Sequence, residues 1–293
     1  MIQIVLILVG VLIGALLNTL ADDLPPEQMK PDNTDQLQGN GHVASVADLP
    51  HRNRPRTPHC HVCGSAYPRA QWVALAALVT GWLPCAQCGS RPVWRKPVVE
   101  IVSAAMLVFV FDRFDLTAKS FMLSLLLECL LLITIIDLEH RLILHVTVLP
   151  SALIALAYGL FGSELELLAA LSKSLIGGAV GFGVFYVFYL LGFVYSAWVA
   201  RRRGEPLDEI AFGGGDANLG GVVGLAVGWS GIVVSIFYAV LAGGIVSAIF
   251  LAVMSLRKRN SLFTPIPYGP FIVFGAVLML LFSVEVRQFL GGD

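Results

Sequence analysis

The chain has 293 residues, 57% of them hydrophobic and only 13% charged, with a net charge of -1. A soluble domain carries about a quarter charged residues, so the composition excludes an ordinary soluble enzyme. The near-zero charge excludes the bulk basic character of a nucleic-acid partner, and five cysteines in so long a chain exclude a disulfide-dense secreted scaffold.

In chain order, the apolar runs predict an all-α integral membrane protein with about eight transmembrane helices, at roughly 2–20, 97–111, 120–136, 142–161, 174–200, 213–228, 231–254 and 268–288. The second and sixth are short, as in tilted, broken or partly re-entrant helices. Met1-Ile2-Gln3 gives the first run no positive n-region, and no small-residue cleavage site follows it, so it reads as a retained helix with its N-terminus outside. Loops 21–96, 137–141, 201–212 and 255–267 then face the cytoplasm and hold 15 of the 19 Lys and Arg. Only Arg113, Lys119, Lys173 and Arg287 fall on the other side, which agrees with the retention of cations inside. The short loops carrying Arg201-Arg202-Arg203 and Arg257-Lys258-Arg259 agree with the long one.

Three divisions follow: a first helix at 1–20, a cytoplasmic loop domain at 21–96, and a seven-helix membrane core at 97–293. Pro31 to Pro58 is polar and expected to be mobile. After it come Cys60-His61-Val62-Cys63-Gly64 and Cys85-Ala86-Gln87-Cys88-Gly89, separated by 21 residues. Each pair places two thiolates on one turn, and two turns complete a tetrahedral four-cysteine zinc site. Two unrelated reduced pairs, or a redox pair, is the competing reading. Four thiolates leave no open coordination position, so the zinc is expected to be structural, with His59 and His61 as bystanders. Cys129 stands alone in an apolar run.

Asp137 ends the apolar run from Phe121, and Asp216 follows Gly213-Gly214-Gly215 at the head of another. Acidic residues at such positions are costly and usually functional. Two carboxylates can hydrolyse a peptide bond together: the ionised one takes a proton from water while the protonated one donates to the carbonyl oxygen. The glycines would let backbone unwind beside Asp216 and admit an extended chain. Many acidic residues at helix ends are merely interfacial, as expected for Glu139, Asp208 and Glu209, and Asp22, Asp23, Asp112 and Asp115 also flank spans. Composition alone does not select Asp137 and Asp216. Glu128 lies about 900° of helix rotation before Asp137, on the opposite face, and is assigned to packing. Thr134, one turn before Asp137, is expected to hydrogen-bond near the site.

Six ordered segments resemble the type IV prepilin peptidases, GxGD membrane aspartyl proteases that also act as N-methyltransferases. Gly14-Ala15-Leu16-Leu17-Asn18 with Leu24-Pro25 resembles their opening G-S-F-L-N…R-L-P. The paired cysteines follow, then Trp94 to Glu100, similar to R-Y-P-L-V-E. Ile136-Asp137-Leu138 resembles the first catalytic motif, Gly213 to Leu219 the G-x-G-D-x-K-L motif, and Ile266 to Phe271 the closing I-P-F-G-P-F. The resemblance implies an inner-membrane enzyme of bacteria that cuts the basic leader of type IV prepilins or secretion pseudopilins at the cytoplasmic face. It also implies methylation of the new N-terminus from S-adenosylmethionine. The chain departs from the pattern at Leu144-His145, where Pro-Asp is usual, at Asn218 in place of lysine, and at Asp23 in place of arginine. No catalytic carboxylate is lost. Asp22 and Asp23 would attract a basic leader, unless they are simply a solvated helix end. A presenilin-like intramembrane protease would share GxGD but not the cysteine loop or the closing motif. A transporter using Asp137, Asp216 and Glu128 as ion sites would not explain the cysteines.

Overall fold

The structure is a computed structural model that describes residues 2–25, 58–60, 63, 65–79, 81, 84–90, 93–161, 166–203, 213–256 and 267–289. Most of the stretch 31–58, with His61, Asp208, Glu209 and Arg257-Lys258-Arg259, lies outside the described residues. The chain divides into two compact units, residues 1–109 and 110–293.

The first unit contains α1 (Ile2–Asp23), α2 (Ala74–Val79) and most of α3 (Arg95–Phe114). Gly10 and Gly14 of α1 bury their bare backbones against Ala104 and Glu100 of α3, where a Cβ would strike main-chain atoms. Such contact without side chains is how apolar helices associate closely. Polar bonds fix the register. Asn18 Nδ2 donates to the Lys96 carbonyl (2.9 Å), and Ser103 Oγ donates to the Gly10 carbonyl (2.9 Å). At the ends of these helices Asp22 accepts from Arg95 Nη2 (2.6 Å) and lies 3.0 Å from Lys96 Nζ. Glu100, fully buried, accepts from the N–H groups of Ala74 (2.7 Å) and Leu75 (2.8 Å), so its carboxylate holds the start of α2.

The second unit contains α4 (Ala118–His140), α5 (His145–Phe161), α6 (Leu167–Arg203), α7 (Gly214–Leu256), α8 (Gly269–Leu281) and α9 (Ser283–Phe289). Helix α7 packs on α5, α6 and α8, and α4 packs on α5 and α8. Glycines again set the closest approach: Gly177 and Gly181 of α6 meet Gly224 and Gly220 of α7 backbone to backbone. Helix α4 starts at Thr117, whose hydroxyl accepts from Ser120 N–H, and stops at Arg141 in the left-handed region. Gly228 (φ 73°, ψ 177°) breaks α7 internally.

The eight expected spans fall on α1, α3, α4, α5, α6, the two halves of α7, and α8 with α9. Helices α1, α4, α6 and α7 are long and apolar enough to cross a membrane, and α5 and α8 are shorter apolar helices. Phe237, Leu241, Ile245 and Ile249 stand exposed every fourth residue along α7. Such a stripe is untenable in water and suits lipid. This is a multi-pass membrane protein.

Candidate active site and metal centre

Asp137 lies in the last turn of α4 and is buried. Its Oδ2 accepts from the N–H of Gly269, the first residue of α8, at 3.0 Å. That N–H is one of the orphan donors of a helix start, where a carboxylate is favoured. The approach explains the glycine: a Cβ at 269 would lie 2.5 Å from Asp137 Oδ2 and 3.0 Å from Cγ.

Asp216, also buried, occupies the first turn of α7. Its Oδ2 accepts from Gly213 N–H (3.0 Å), and its own N–H donates to the Gly213 carbonyl (3.1 Å). The carboxylate reaching back from the third helical residue is half of a capping box. Gly215 sits against Ile143, where its Cβ would come 2.7 Å from the isoleucine Cβ. Gly215 therefore packs a tight helix start beside Asp216 rather than an unwound one.

The two carboxylates are close enough for their charges to interact. Asp216 acts in the same way on Tyr268, next to Gly269. The Tyr268 ring is wedged between Phe185 (6.2 Å) and Phe271 (5.7 Å). Each aspartate thus spends Oδ2 on a helix start, while Oδ1 of each makes no hydrogen bond to a described residue. One anchored and one uncommitted oxygen per carboxylate leaves the pair able to bind a water and pass a proton.

Other expected neighbours lie differently. Thr134 Oγ1 donates to the Leu130 carbonyl in its own helix (2.8 Å) instead of serving the site. Glu128 is buried inside the second unit. Asn218 Nδ2 and His145 Nε2, from two of the three departures from the family pattern, stand 3.4 Å apart, so these unusual residues are partners. Asp22 is already neutralised by Arg95 and Lys96, and Asp23 Oδ1 stands 3.7 Å from His59 Nδ1, so Asp22 is no free recruiting charge.

In the first unit the Sγ atoms of Cys60, Cys63, Cys85 and Cys88 all lie within 4.8 Å of one another. Cys60–Cys88 and Cys63–Cys85 are 3.7 and 3.6 Å apart. A tetrahedral ion with Zn–S bonds of about 2.3 Å requires S···S distances of roughly 3.8 Å, so the thiols fit. The two knuckles repeat each other. Cys60 N–H donates to the Ser65 carbonyl (2.8 Å) and Cys85 N–H to the Ser90 carbonyl (3.0 Å). Ser90 Oγ lies 3.1 Å from both Cys60 and Cys88 Sγ, and Ser65 Oγ lies 3.0 Å from Cys63 and 3.4 Å from Cys85. Hydrogen bonding by Ser65 and by the backbone N–H groups of Cys88 and Gln87 pulls the Cys85 thiol down to about 6, which prepares a thiolate. The cluster could hold a metal, and His59, turned toward Asp23, is not among its ligands.

Sequence reading missed Ser65, Ser90, Tyr268 and Gly269 as site residues. The signal for the serines was present, because both cysteine pairs continue as C-x-x-C-G-S. Gly269 was visible only as part of a family motif with no stated physical task.

The profile described as "Type IV leader peptidase family" matches residues 124–248, a span that includes both aspartates. A prepilin leader peptidase/N-methyltransferase of Pseudomonas aeruginosa is 27% identical over 287 residues, 96% of this chain and 91% of that protein. Proteins of the same name from Stutzerimonas stutzeri and Bacillus subtilis are 25% and 24% identical, over 96% and 78% of this chain and 90% and 83% of their own. No solved structure matches. Ordered motifs, an acidic pair held at two helix starts and relatives of nearly equal length agree: over nearly its whole length the chain is similar to the type IV leader peptidases.

Proposed function

We propose that this protein is a prepilin leader peptidase in which Asp137 and Asp216 form the catalytic dyad. The observation that carries the reading is the pair of anchored carboxylates, each with one oxygen committed to a helix start and the other uncommitted. Close approach of two carboxylates favours one shared proton, so one aspartate is ionised and the other protonated. The ionised carboxylate takes a proton from water, whose oxygen attacks the scissile carbonyl. The protonated one donates to the carbonyl oxygen; on collapse it takes a proton back from the diol while the other aspartate passes the proton taken from water to the departing nitrogen, which leaves as the new N-terminus of the mature protein. Neither aspartate becomes covalently attached. The substrate is a prepilin or pseudopilin of a type IV pilus or type II secretion system, with a basic leader ahead of an apolar helix.

Eight crossings, with the dyad at the cytoplasmic face of the inner membrane, accord with the cation bias of the loops. Cys60, Cys63, Cys85 and Cys88 hold a structural zinc, which orders the loop domain and leaves no position for substrate. Methylation of the released amine from S-adenosylmethionine is supported by the names of the relatives, and no residue of this chain is assigned to the donor.

The test is incubation of the full chain, purified in detergent, with a prepilin and S-adenosylmethionine, followed by intact-mass measurement. Loss of the leader mass marks the peptidase, and a further methyl mass on the mature chain marks the transferase. A prepilin of unchanged mass after prolonged incubation with folded, zinc-loaded protein overturns the proposal.

A further inference from the structure

The second unit contains a polar cavity of about 160 Å³ that the dyad does not use. Lys119, Tyr158, Lys173, Ser174, Gly228 and Ser283 contribute to its lining. Lys119 is the second residue of α4 and Asp137 is near its last, which separates them by about 27 Å along the helix axis. The cavity therefore lies at the opposite ends of the helices from the dyad.

Its chemistry is one-sided. Among the described residues the lining holds two ammonium groups and three hydroxyls but no carboxylate. Among the described residues neither lysine forms an ion pair, whereas Arg113 at the same ends of the helices is held by Glu285. The positive-inside bias leaves only four cations for this side, and two of them converge here. Gly228 makes that placement possible. It sits at the break in α7 with φ 73°, and a Cβ there would lie 3.0 Å from both Cγ and Cε of Lys173. Two cations in one cavity repel each other until an anion joins them. A phosphate has the oxygens to accept from both ammonium groups and the hydroxyls at once. The ends of membrane-crossing helices lie at the depth of lipid phosphates, and the charge attraction by which basic pockets on the cytoplasmic side bind headgroups acts equally on an anionic lipid at the other face.

We infer that the cavity lined by Lys119 and Lys173 is a phosphate-binding site, which takes the phosphodiester of an anionic phospholipid at the membrane face opposite the dyad. Inorganic phosphate presents the same chemistry, and the test separates the two. The inference needs α4 to cross the bilayer but does not need the peptidase reading.

The full-length protein is delipidated in detergent and titrated with phosphatidylglycerol or chain-matched phosphatidylcholine, with retention read by native mass spectrometry. One phosphatidylglycerol is expected to be retained in preference to phosphatidylcholine. Lys119→Gln with Lys173→Gln should weaken it about 30-fold, from the loss of two lysine–headgroup attractions. Lys119→Arg with Lys173→Arg should retain it. Displacement by millimolar inorganic phosphate identifies the phosphate alone as sufficient, and its failure assigns the site to the lipid. Equal retention of the two lipids, or undiminished phosphatidylglycerol binding by the glutamine variant, overturns the inference. Should the double variant not fold, wild-type retention by both single glutamine variants does the same.

Discussion

The cysteine centre and the aspartate pair are built in opposite ways. Each cysteine knuckle folds on itself within six residues, from the N–H of its first cysteine to the carbonyl of its serine, and the centre is one such unit used twice. The aspartate site has no local unit. Asp137 is held by Gly269, 132 residues away, and Asp216 is supplied by a third helix. Local chemistry can therefore assemble each half of the four-thiol cluster, whereas the aspartate pair exists only when α4, α7 and α8 are packed. Damage to the two should separate: one loses a metal, the other a rate.

The largest separation is expected at the dyad. Asp137→Asn and Asp216→Asn should each abolish measurable cleavage while zinc content stays at about one per molecule, because Asn keeps the shape but cannot cycle a proton. Near-normal turnover by either would refute the pairing. Gly269→Ala is the next step down. The new Cβ displaces the Asp137 carboxylate, and kcat should fall about 100-fold with the carboxylate still present. An unchanged kcat would show that the Gly269 contact does not position the acid.

On the other side, Cys60→Ser with Cys63→Ser should remove the zinc and leave a slower but active peptidase, read by elemental analysis beside cleavage. Ser65→Ala or Ser90→Ala should keep the metal but weaken its hold about 10- to 100-fold in chelator competition, as loss of a ligand's hydrogen-bond partner does. The smallest effect is expected at Asp22→Asn. Arg95 and Lys96 lose their shared partner, so Tm should drop by about 2–4 °C while KM for a basic-leader prepilin holds. A KM that rises at low salt and recovers at high salt would restore the recruiting role to Asp22.

The sequence located what depends on composition and repetition. Apolar runs found the long apolar helices, and the cysteine spacing found the four thiols that the fold gathers into one cluster. Helix ends were less legible, because they are set by caps such as Thr117 and Arg141 rather than by hydrophobicity. The runs 213–228 and 231–254 read as two spans, and the structure parts them at the kink of Gly228, the non-helical residue inside α7. Helix α2, only six residues, is too short to show a period and is held by the distant carboxylate of Glu100. The aspartates were selected by family resemblance among many acidic residues at helix ends. What distinguishes them physically is a bond to the start of a helix, and for Asp137 that helix is far along the chain. The same holds for His145 and Asn218: read singly they are two oddities, and in the fold they are one pair.

The anchoring of both aspartates through Oδ2 has a consequence for inheritance. Each side chain is a latch on a helix start as well as the proposed reagent, so a descendant that no longer cut a prepilin would still be selected to keep both for the integrity of α7 and α8. The acidic pair would outlive the activity. The mark of a working copy is then the second oxygen of each carboxylate, which makes no hydrogen bond to a described residue.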